Sequence, residues 1–488
     1  MTDKKIKGQP RPTRLYEALI TFGVLIAVMA VGIIKFEVAP HIPMFVGVCI
    51  AAIMALIIGY DWDSIETAMK DGIYRALQAV IILAIIGILV GVWIVSGVVP
   101  AMIYYGLKLL APSIFLVAAV LICSVTSVAT GSSWGTMGTM GLALMGIAVG
   151  LNIPAPAAAG AIMAGAYFGD KMSPLSDTTN LAPAMAGTDV FTHIKFMLLP
   201  TIITYVISLG FFGVIGMKYA EAAANADTSA IVEMSNGLTD LFNINPVLLL
   251  PPVVVIVAVA LKVPAIPGIT LGIFAGAIVG MIFQGDNCNL GAILSSGMDG
   301  FTSNTGVEAV DKLLTAGGLM NMMSSIALTI LAMMFGGIME TTKQLEVIVA
   351  QFLKLVKKPA QLVLLTELTC VASNVTMPEQ YISIVVPGRM YAETYAEMGL
   401  HPKTLSNALE GAGTVTSPLV PWNTCAVYIG GILGVTTGEY FQFAIFNWLM
   451  PITVFVLAIL GPSLADMDGN RFKFRQKAKK VEAKVETK

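Results

Sequence analysis

The 488-residue chain is short of charge, histidine and cysteine. Only 12% of its residues are Asp, Glu, Lys or Arg, about half the share a soluble globular chain carries. So few polar groups could not cover a water-facing surface, and the solvent for most of the chain must be lipid. A net charge of -2, with no aromatics interleaved among clustered Lys and Arg, excludes a broadly basic nucleic-acid binder. The three histidines, His41, His193 and His401, each stand where an apolar run begins or ends, and read as interfacial caps rather than proton relays. Cys49, Cys123, Cys288, Cys370 and Cys425 are scattered singly, with no CxxC and no His at ligand spacing. That excludes a redox pair or a zinc centre and leaves small core residues. HExxH and GxxxxGK[ST] are absent, so zinc-protease chemistry and nucleotide-driven pumping lack support.

What is present is apolar: 56% hydrophobic residues and a mean hydropathy of +0.83. The fold class expected is an all-α, polytopic membrane protein. The first run, Leu15 to Ile34, is long enough to cross a bilayer and has no small-residue cleavage site, so it reads as a transmembrane helix rather than a signal peptide. Further runs follow at 42–59, 79–103, 112–129, 133–150, 153–169 and 194–217, then at 246–261, 264–283, 319–339, 360–373, 380–398, 404–434 and 441–462. Several in each half are broken by Gly, Pro and polar residues.

Orientation follows from the flanks. Lys4, Lys5, Lys7, Arg11 and Arg14 precede the first run, and Arg471, Lys473, Arg475, Lys477, Lys479 and Lys480 follow the last, so both ends are expected in the cytoplasm. The stretch after Lys218 has no Lys or Arg through Asp240, although it holds Glu221, Asp227 and Glu233; its lack of cations places it outside. Each half then crosses an odd number of times, and the halves are oppositely oriented. The expected plan is a cytoplasmic tail 1–14, a first transmembrane repeat 15–218, an extracytoplasmic linker 219–245, a second repeat 246–462 and a basic cytoplasmic tail 463–488.

The halves also resemble each other. Ser173-Pro174-Leu175 returns as Ser417-Pro418-Leu419, 244 residues later (417 minus 173). Cys123 with Cys370 and Pro112 with Pro359 are each offset by 247, and Gly91 with Gly337 by 246. Asp71-Gly72 pairs with Asp299-Gly300 if an insertion around Thr302 to Gly318 absorbs the difference. Ordered anchors of this kind predict two inverted-topology repeats, with broken helices or re-entrant hairpins at their interface, a design suited to alternating access.

The repeat-matched regions are where the apolar pattern fails. In the first half the failures run through Thr130-Gly-Ser132-Ser133-Trp-Gly-Thr136 and Gly169-Asp170-Lys171-Met-Ser-Pro-Leu-Ser-Asp177-Thr178-Thr179-Asn180. In the second they run through Ala372-Ser-Asn374-Val-Thr376-Met-Pro-Glu379-Gln380 and Glu410 to Thr424, which includes Ser417 and Asn423. Gly and Pro free carbonyls from the helical ladder while Ser, Thr, Asn and Asp add side-chain oxygens, so these segments offer a small hard cation a ring of oxygen ligands. Asp170 and Asp177 are the carboxylates inside the first such segment. They can hold a proton or a metal ion, and competition for one carboxylate couples the two flows. Helix capping is the plainer reading of the same aspartates. Lys171 is an ion-pair partner or a snorkelling residue. Glu367 follows an apolar run, and Glu379 with Arg389 makes an ion pair, an organic-anion contact or a gate.

The stretch Ala129-Thr-Gly-Ser-Ser-Trp-Gly-Thr-Met-Gly-Thr139, followed by Gly165-Ala-Tyr-Phe-Gly-Asp-Lys-Met-Ser-Pro-Leu-Ser-Asp-Thr-Thr-Asn180, resembles the signature region of the NhaC family of sodium/proton antiporters. The resemblance extends over about 15–462. It implies a bacterial or archaeal inner-membrane antiporter exchanging Na+ for H+, with Asp170, Asp177, Ser132, Ser133, Thr178, Thr179 and Asn180 as ion-site candidates and Asp170 and Asp177 as the metal-binding carboxylates. Asn374, Thr376, Glu379, Glu410, Ser417 and Asn423 are second-repeat candidates by position alone. Relatives of that family exchange organic acids or amino acids, so a small organic anion or an amino acid is the alternative cargo. No cofactor is expected, since Na+ is cargo; lipid surrounds the chain, and a homodimer is a compatible assembly. A membrane-embedded enzyme and a channel are the readings from other classes, and the repeat favours neither.

The inverted plan has a direct check. A single cysteine at Asp240, in an otherwise cysteine-free chain, should react with a membrane-impermeant maleimide from outside the cell, and cysteines in either tail only after permeabilisation. Reaction of all three from one side would rule out oppositely oriented halves.

Overall fold

The computed structural model describes residues 10–473 apart from 225–228, 262, 308–309 and 312–313. Lys4, Lys5, Lys7, Asp227, Arg475, Lys477, Lys479 and Lys480 lie outside the described residues. Among those described, the chain is all-α, and the bridges of β type are three isolated ones. Among the described residues seven helices are long and apolar enough to cross a bilayer, and up to nine if each of two sharply bent pairs is one span. This is a multi-pass membrane protein.

The first half runs α1 (Leu15–Ala30), α2 (His41–Ile58), α3 (Trp62–Val95), α4 (Val98–Leu109), α5 (Pro112–Thr130), α6 (Ser133–Thr136), α7 (Leu142–Gly150), α8 (Ala155–Met172), α9 (Asp177–Ala186) and α10 (Val190–Ala224). After α11 (Ser229–Leu241) come α12 (Leu250–Ala260), α13 (Ala265–Phe283), α14 (Leu290–Asp299), α15 (Leu319–Thr341), α16 (Gln344–Leu353), α17 (Pro359–Thr376), α18 (Ile382–Glu397), α19 (Pro402–Leu409), α20 (Thr424–Leu433), α21 (Thr437–Tyr440) and α22 (Ile445–Leu460). One π turn, Met137–Gly141, joins α6 to α7, and another, Glu410–Thr414, continues α19.

Several elements differ from the expected runs. The run 79–103 is not one span. Helix α3 starts earlier, where the Asp61 carboxylate accepts from Ser64 N at 2.9 Å, and ends at Ser96-Gly97, with Gly97 left-handed at φ +79. Its polar first turns are accommodated by ion pairs Lys70–Glu66 and Arg75–Glu340. The run 404–434 is likewise divided, because Pro418 and Pro421 cannot continue a helical ladder. The expected linker 219–245 is largely helical: α10 continues past Lys218 through an Ala-rich segment with high helix propensity, and α11 follows. The start of the C-terminal tail is folded rather than free. Arg471 donates to the carbonyls of Pro462 (2.9 Å), Lys195 (3.0 Å) and Phe196 (2.5 Å), and its guanidinium lies 4.3 Å from the Phe196 ring centroid.

Several of the sequence anchors fall at equivalent places in the helix order, although Asp71-Gly72 lies inside α3 and Asp299-Gly300 at the end of α14. Helices α3 and α15 both end at a left-handed residue, Gly97 or Lys343, followed by a short helix. Pro112 and Pro359 then each occupy the first turn of the next helix, where a missing N–H costs nothing. The two Ser-Pro-Leu tripeptides lie in the breaks before α9 and before α20.

Helices α3 and α15 pack along each other at the centre. Gly72 and Gly337 make their crossing close: a Cβ on Gly72 would overlap the Met333 carbonyl oxygen, and one on Gly337 the Ala68 carbonyl oxygen. In lipid, where helix association rests on packing rather than on expelled water, such small residues permit the contact. Replacing Gly337 by Val should destabilise the fold by about 1–3 kcal/mol through overpacking, read as a lowered thermal midpoint in detergent. Gly438→Ala, where nothing lies within 4 Å, should leave the midpoint unchanged; equal behaviour of the two variants would contradict the packed crossing.

Candidate ion-binding site

Two helix breaks in the first half lie against each other. Helix α5 ends at Gly131, left-handed at φ +67, and Ser132 caps α6 by accepting from Gly135 N at 3.0 Å. Helix α8 ends before Ser173-Pro174, and α9 restarts at Asp177 with Ser176 as its cap. Ser173 Oγ donates to Val128 O at 2.8 Å, and a Cβ on Gly131 would lie 2.7 Å from Leu175 backbone, so glycine is required where the breaks touch. Thr179 Oγ1 donates to the carbonyls of Asp170 and Lys171, each at 3.1 Å, satisfying groups freed at the end of α8. Asn180 Nδ2 does the same for Pro174 and Ser176, at 2.8 and 2.7 Å.

The second-half breaks interlock similarly. Asn374 Nδ2 donates to Gly413 O (2.8 Å) and Thr416 Oγ1 (3.1 Å), while Asn423 Nδ2 donates to Asn374 Oδ1 (3.1 Å). Trp422 Nε1 reaches Val375 O at 2.7 Å, and Ser417 Oγ reaches Thr414 O at 2.6 Å. Thr376 Oγ1 bonds back to Ala372 O at 2.8 Å within its own helix. Glu379 Oε2 accepts from Tyr381 N (2.7 Å) and Ile382 N (3.2 Å), holding the first turn of α18.

The halves meet around one cavity of about 800 Å³. Its walls include Ser132, Ser133, Asp170, Asp177, Thr178 and Glu379 from the sequence-derived set, with Arg75, Ser176, Gln380 and Tyr381 added. Asp170 is 4% exposed and accepts from Ser133 Oγ at 2.6 Å, whereas Asp177 is exposed. The two carboxylates therefore stand at different depths of one opening. No arginine, lysine or histidine pairs with Asp170 among the described residues. Tyr381 OH donates to Asp177 Oδ2 at 3.5 Å and Thr178 Oγ1 to Glu410 Oε1 at 3.3 Å, each bond linking one half to the other. Trp134 stacks on Tyr428 at 4.1 Å, and Tyr428 OH donates to Trp134 O at 2.5 Å.

Other residues fall away from the cavity wall. Thr179 and Asn180 brace the break. Asn374, Thr376, Ser417 and Asn423 are buried in the second-half network. Lys171 is fully buried and Glu410 touches the site through Thr178. Arg389 is exposed on α18 and forms no ion pair with Glu379, whose carboxylate is occupied by backbone N–H groups instead. His193 does not cap a helix: it is fully buried, with Nδ1 2.8 Å from Ser406 Oγ, and the start of α10 is held instead by Asp189 Oδ1, which accepts from Thr192 N. His401 does cap, accepting from Lys403 N at 3.2 Å.

Gly131-Ser-Ser133-Trp-Gly135 has the Gly-x-Ser-x-Gly spacing of a hydrolase nucleophile. Ser133, however, donates to Asp170, while the three histidines engage Ser324, Ser406 and Lys403. The arrangement offers oxygen ligands and exchangeable charge rather than an activated hydroxyl.

Tyr381 and Arg75 escaped the sequence reading. Tyr381 directly follows a flagged segment; Arg75 sits in a charged stretch that the hydropathy runs left outside the membrane.

A model described as the Na+/H+ antiporter family matches residues 165–462. The chain is 38% identical over 447 residues to the malate-2H+/Na+-lactate antiporter of Bacillus subtilis, covering 92% of this chain and 94% of that one. It is 36% identical over 443 residues to the Na+/H+ antiporter NhaC of Alkalihalophilus pseudofirmus, covering 91% and 95%. To the arginine/ornithine antiporter ArcD of Halobacterium salinarum it is 36% identical over 448 residues, covering 91% and 92%. The family match runs through the break between α8 and α9 and through both second-half breaks, and the chain belongs to the Na+/H+ antiporter family.

Proposed function

We propose that the chain exchanges Na+ for H+ by alternating access, with Asp170 and Asp177 as carboxylates that hold either ion in turn. The observation that carries this reading is the placement of both in one cavity, together with the oxygens of Ser132, Ser133 and Thr178. A buried carboxylate with hydroxyl donors but no cationic partner keeps its charge only at a desolvation cost, which a proton or a small hard cation relieves. Oxygen-only ligands suit Na+ as they suit other hard cations. Names of relatives that pair Na+ with H+ support the same couple. In this reading the halves are inverted repeats that rock about the cavity. The protein sits in the cytoplasmic membrane with both termini inside, as a transporter rather than an enzyme, in a form that includes a homodimer. Ser417, Asn374, Thr376 and Asn423 hold the second-repeat breaks in register, and Glu379 adds a carboxylate to the wall.

One observation favours a second cargo. The cavity exceeds what a bare ion needs, and Arg75, which pairs with Glu340 through one nitrogen, lines it; its remaining guanidinium donors are suited to a carboxylate. An organic-acid exchange, such as the name of the Bacillus subtilis relative describes, is then the alternative. Proteoliposomes decide between them: proton movement driven by a sodium gradient without organic solute supports Na+/H+ exchange, and a strict need for malate, lactate or an amino acid supports the alternative.

Asp170→Asn should reduce sodium-driven proton flux at least about 100-fold while folded protein remains in the membrane, and Asp177→Asn should be similarly severe. Near-normal flux in Asp170→Asn would remove the cavity from the mechanism. Ser133→Ala deletes one hydrogen bond to a charged group and should weaken Na+ binding about tenfold, measured by displacement of radioactive sodium.

A further inference from the structure

A second group of buried polar side chains lies outside the cavity wall. Lys171, next to Asp170 on α8, is fully buried, and its Nζ has no hydrogen-bond partner. It lies within electrostatic reach of Glu410 on the π turn, Glu367 on α17 and His193 on α10. Glu367 is 3% exposed, and its Oε1 is also without a partner. The same is true of Glu410 Oε2 and of both amide atoms of Asn407.

The other titratable groups around Glu367 are engaged or neutral. Tyr391 and Tyr395 of α18 hydrogen-bond Thr369 and Thr366 on either side of it, at 2.7 and 3.1 Å, and Cys370 lies one turn on. From neighbouring helices, Glu346 faces Tyr60 and Glu340 pairs with Arg75.

One ammonium faces two carboxylates here. With all three ionised the group carries a net negative charge in a low-dielectric interior, where an uncompensated charge is expensive. One bound proton removes the imbalance.

We propose that Glu367 binds one of the exchanged protons, as a carboxyl separate from the Na+-binding cavity, with Lys171 as the counter-charge between them. This rests on the antiport reading and extends it. Glu410 is tied to the cavity through Thr178, whereas the charged group acting on Glu367 is Lys171. Na+ entering the ionised cavity adds positive charge near Glu410, which Thr178 ties to the wall and which shares Lys171 with Glu367. Lys171 is then left to compensate Glu367, which favours its ionised form, so that its O–H bond breaks, the electron pair stays on the carboxylate and the proton leaves to water.

The test uses purified full-length protein in weakly buffered detergent with a pH-indicating dye, titrated with Na+. Glu367→Gln should release about one proton fewer per bound Na+ than wild type. Its Na+ affinity should match wild type at acidic pH, where Glu367 is protonated in both states, fall below wild type at alkaline pH, and vary less steeply with pH. A folded Glu367→Gln that releases as many protons as wild type, or that loses Na+ binding altogether, overturns the assignment alone. A wild type that binds Na+ and releases no proton overturns the antiport reading and this assignment with it. Should Glu367→Gln not fold, infrared difference spectra on Na+ addition decide: the lost protonated-carboxyl C=O band should shift in Glu367→Asp, and an unshifted band overturns the proposal.

Discussion

In a hydrocarbon solvent no backbone group can be left to water, so every interruption of a helix must be repaid by another part of the chain. That constraint organises this protein. Among the described residues four helix breaks border the two halves, and each is closed by side chains of its own or of a neighbouring break. Ser173 serves the end of α5, Thr179 the end of α8, and Asn374 and Asn423 join the two second-half breaks. The oxygens not consumed in this exchange open into the cavity. In the proposed reading, a binding site and a structural joint are thus made of the same residues.

Glycine and the hydroxyl side chains divide that labour. Gly131 lets two breaks touch, Gly72 and Gly337 let the central helices cross closely, and the small residues carry no polar cost of their own. Ser132, Ser133 and Thr178 supply short, stiff oxygens that cannot reach far. Asp170 is therefore held by its surroundings rather than by an opposite charge, which in the proposed function leaves its own charge available to a mobile ion.

Much of this was legible in the sequence, because failure of an apolar pattern is a local property. The membrane class and the positions of the breaks come from residues near one another in the chain, whereas the grouping of Ser132 and Ser133 with Asp170 and Asp177 came from the family resemblance. The long-range pairings were not legible. Periodicity tells which residues leave the lipid face but not which helix they meet, so Arg389 stood beside Glu379 on paper and points elsewhere in space. Glu367 was noted only as a charge after an apolar run, although α17 carries it into the interior, and His193 was read as a cap, although it is buried against Ser406. Hydropathy also misplaced the start of α3, whose early charges find partners on the same helix and on α15.

The joint between Trp134 and Tyr428 constrains how the halves can separate. Tyr428 grasps the main chain of Trp134 while the two rings lie flat together, so the opening turn of α6 and the body of α20 are coupled across the boundary. Thr178 to Glu410 and Tyr381 to Asp177, at 3.3 and 3.5 Å, are single long bonds that a small displacement undoes. Relative motion should pivot on the aromatic clasp and begin at the hydroxyl contacts, which makes the residues nearest the cargo the first to let go.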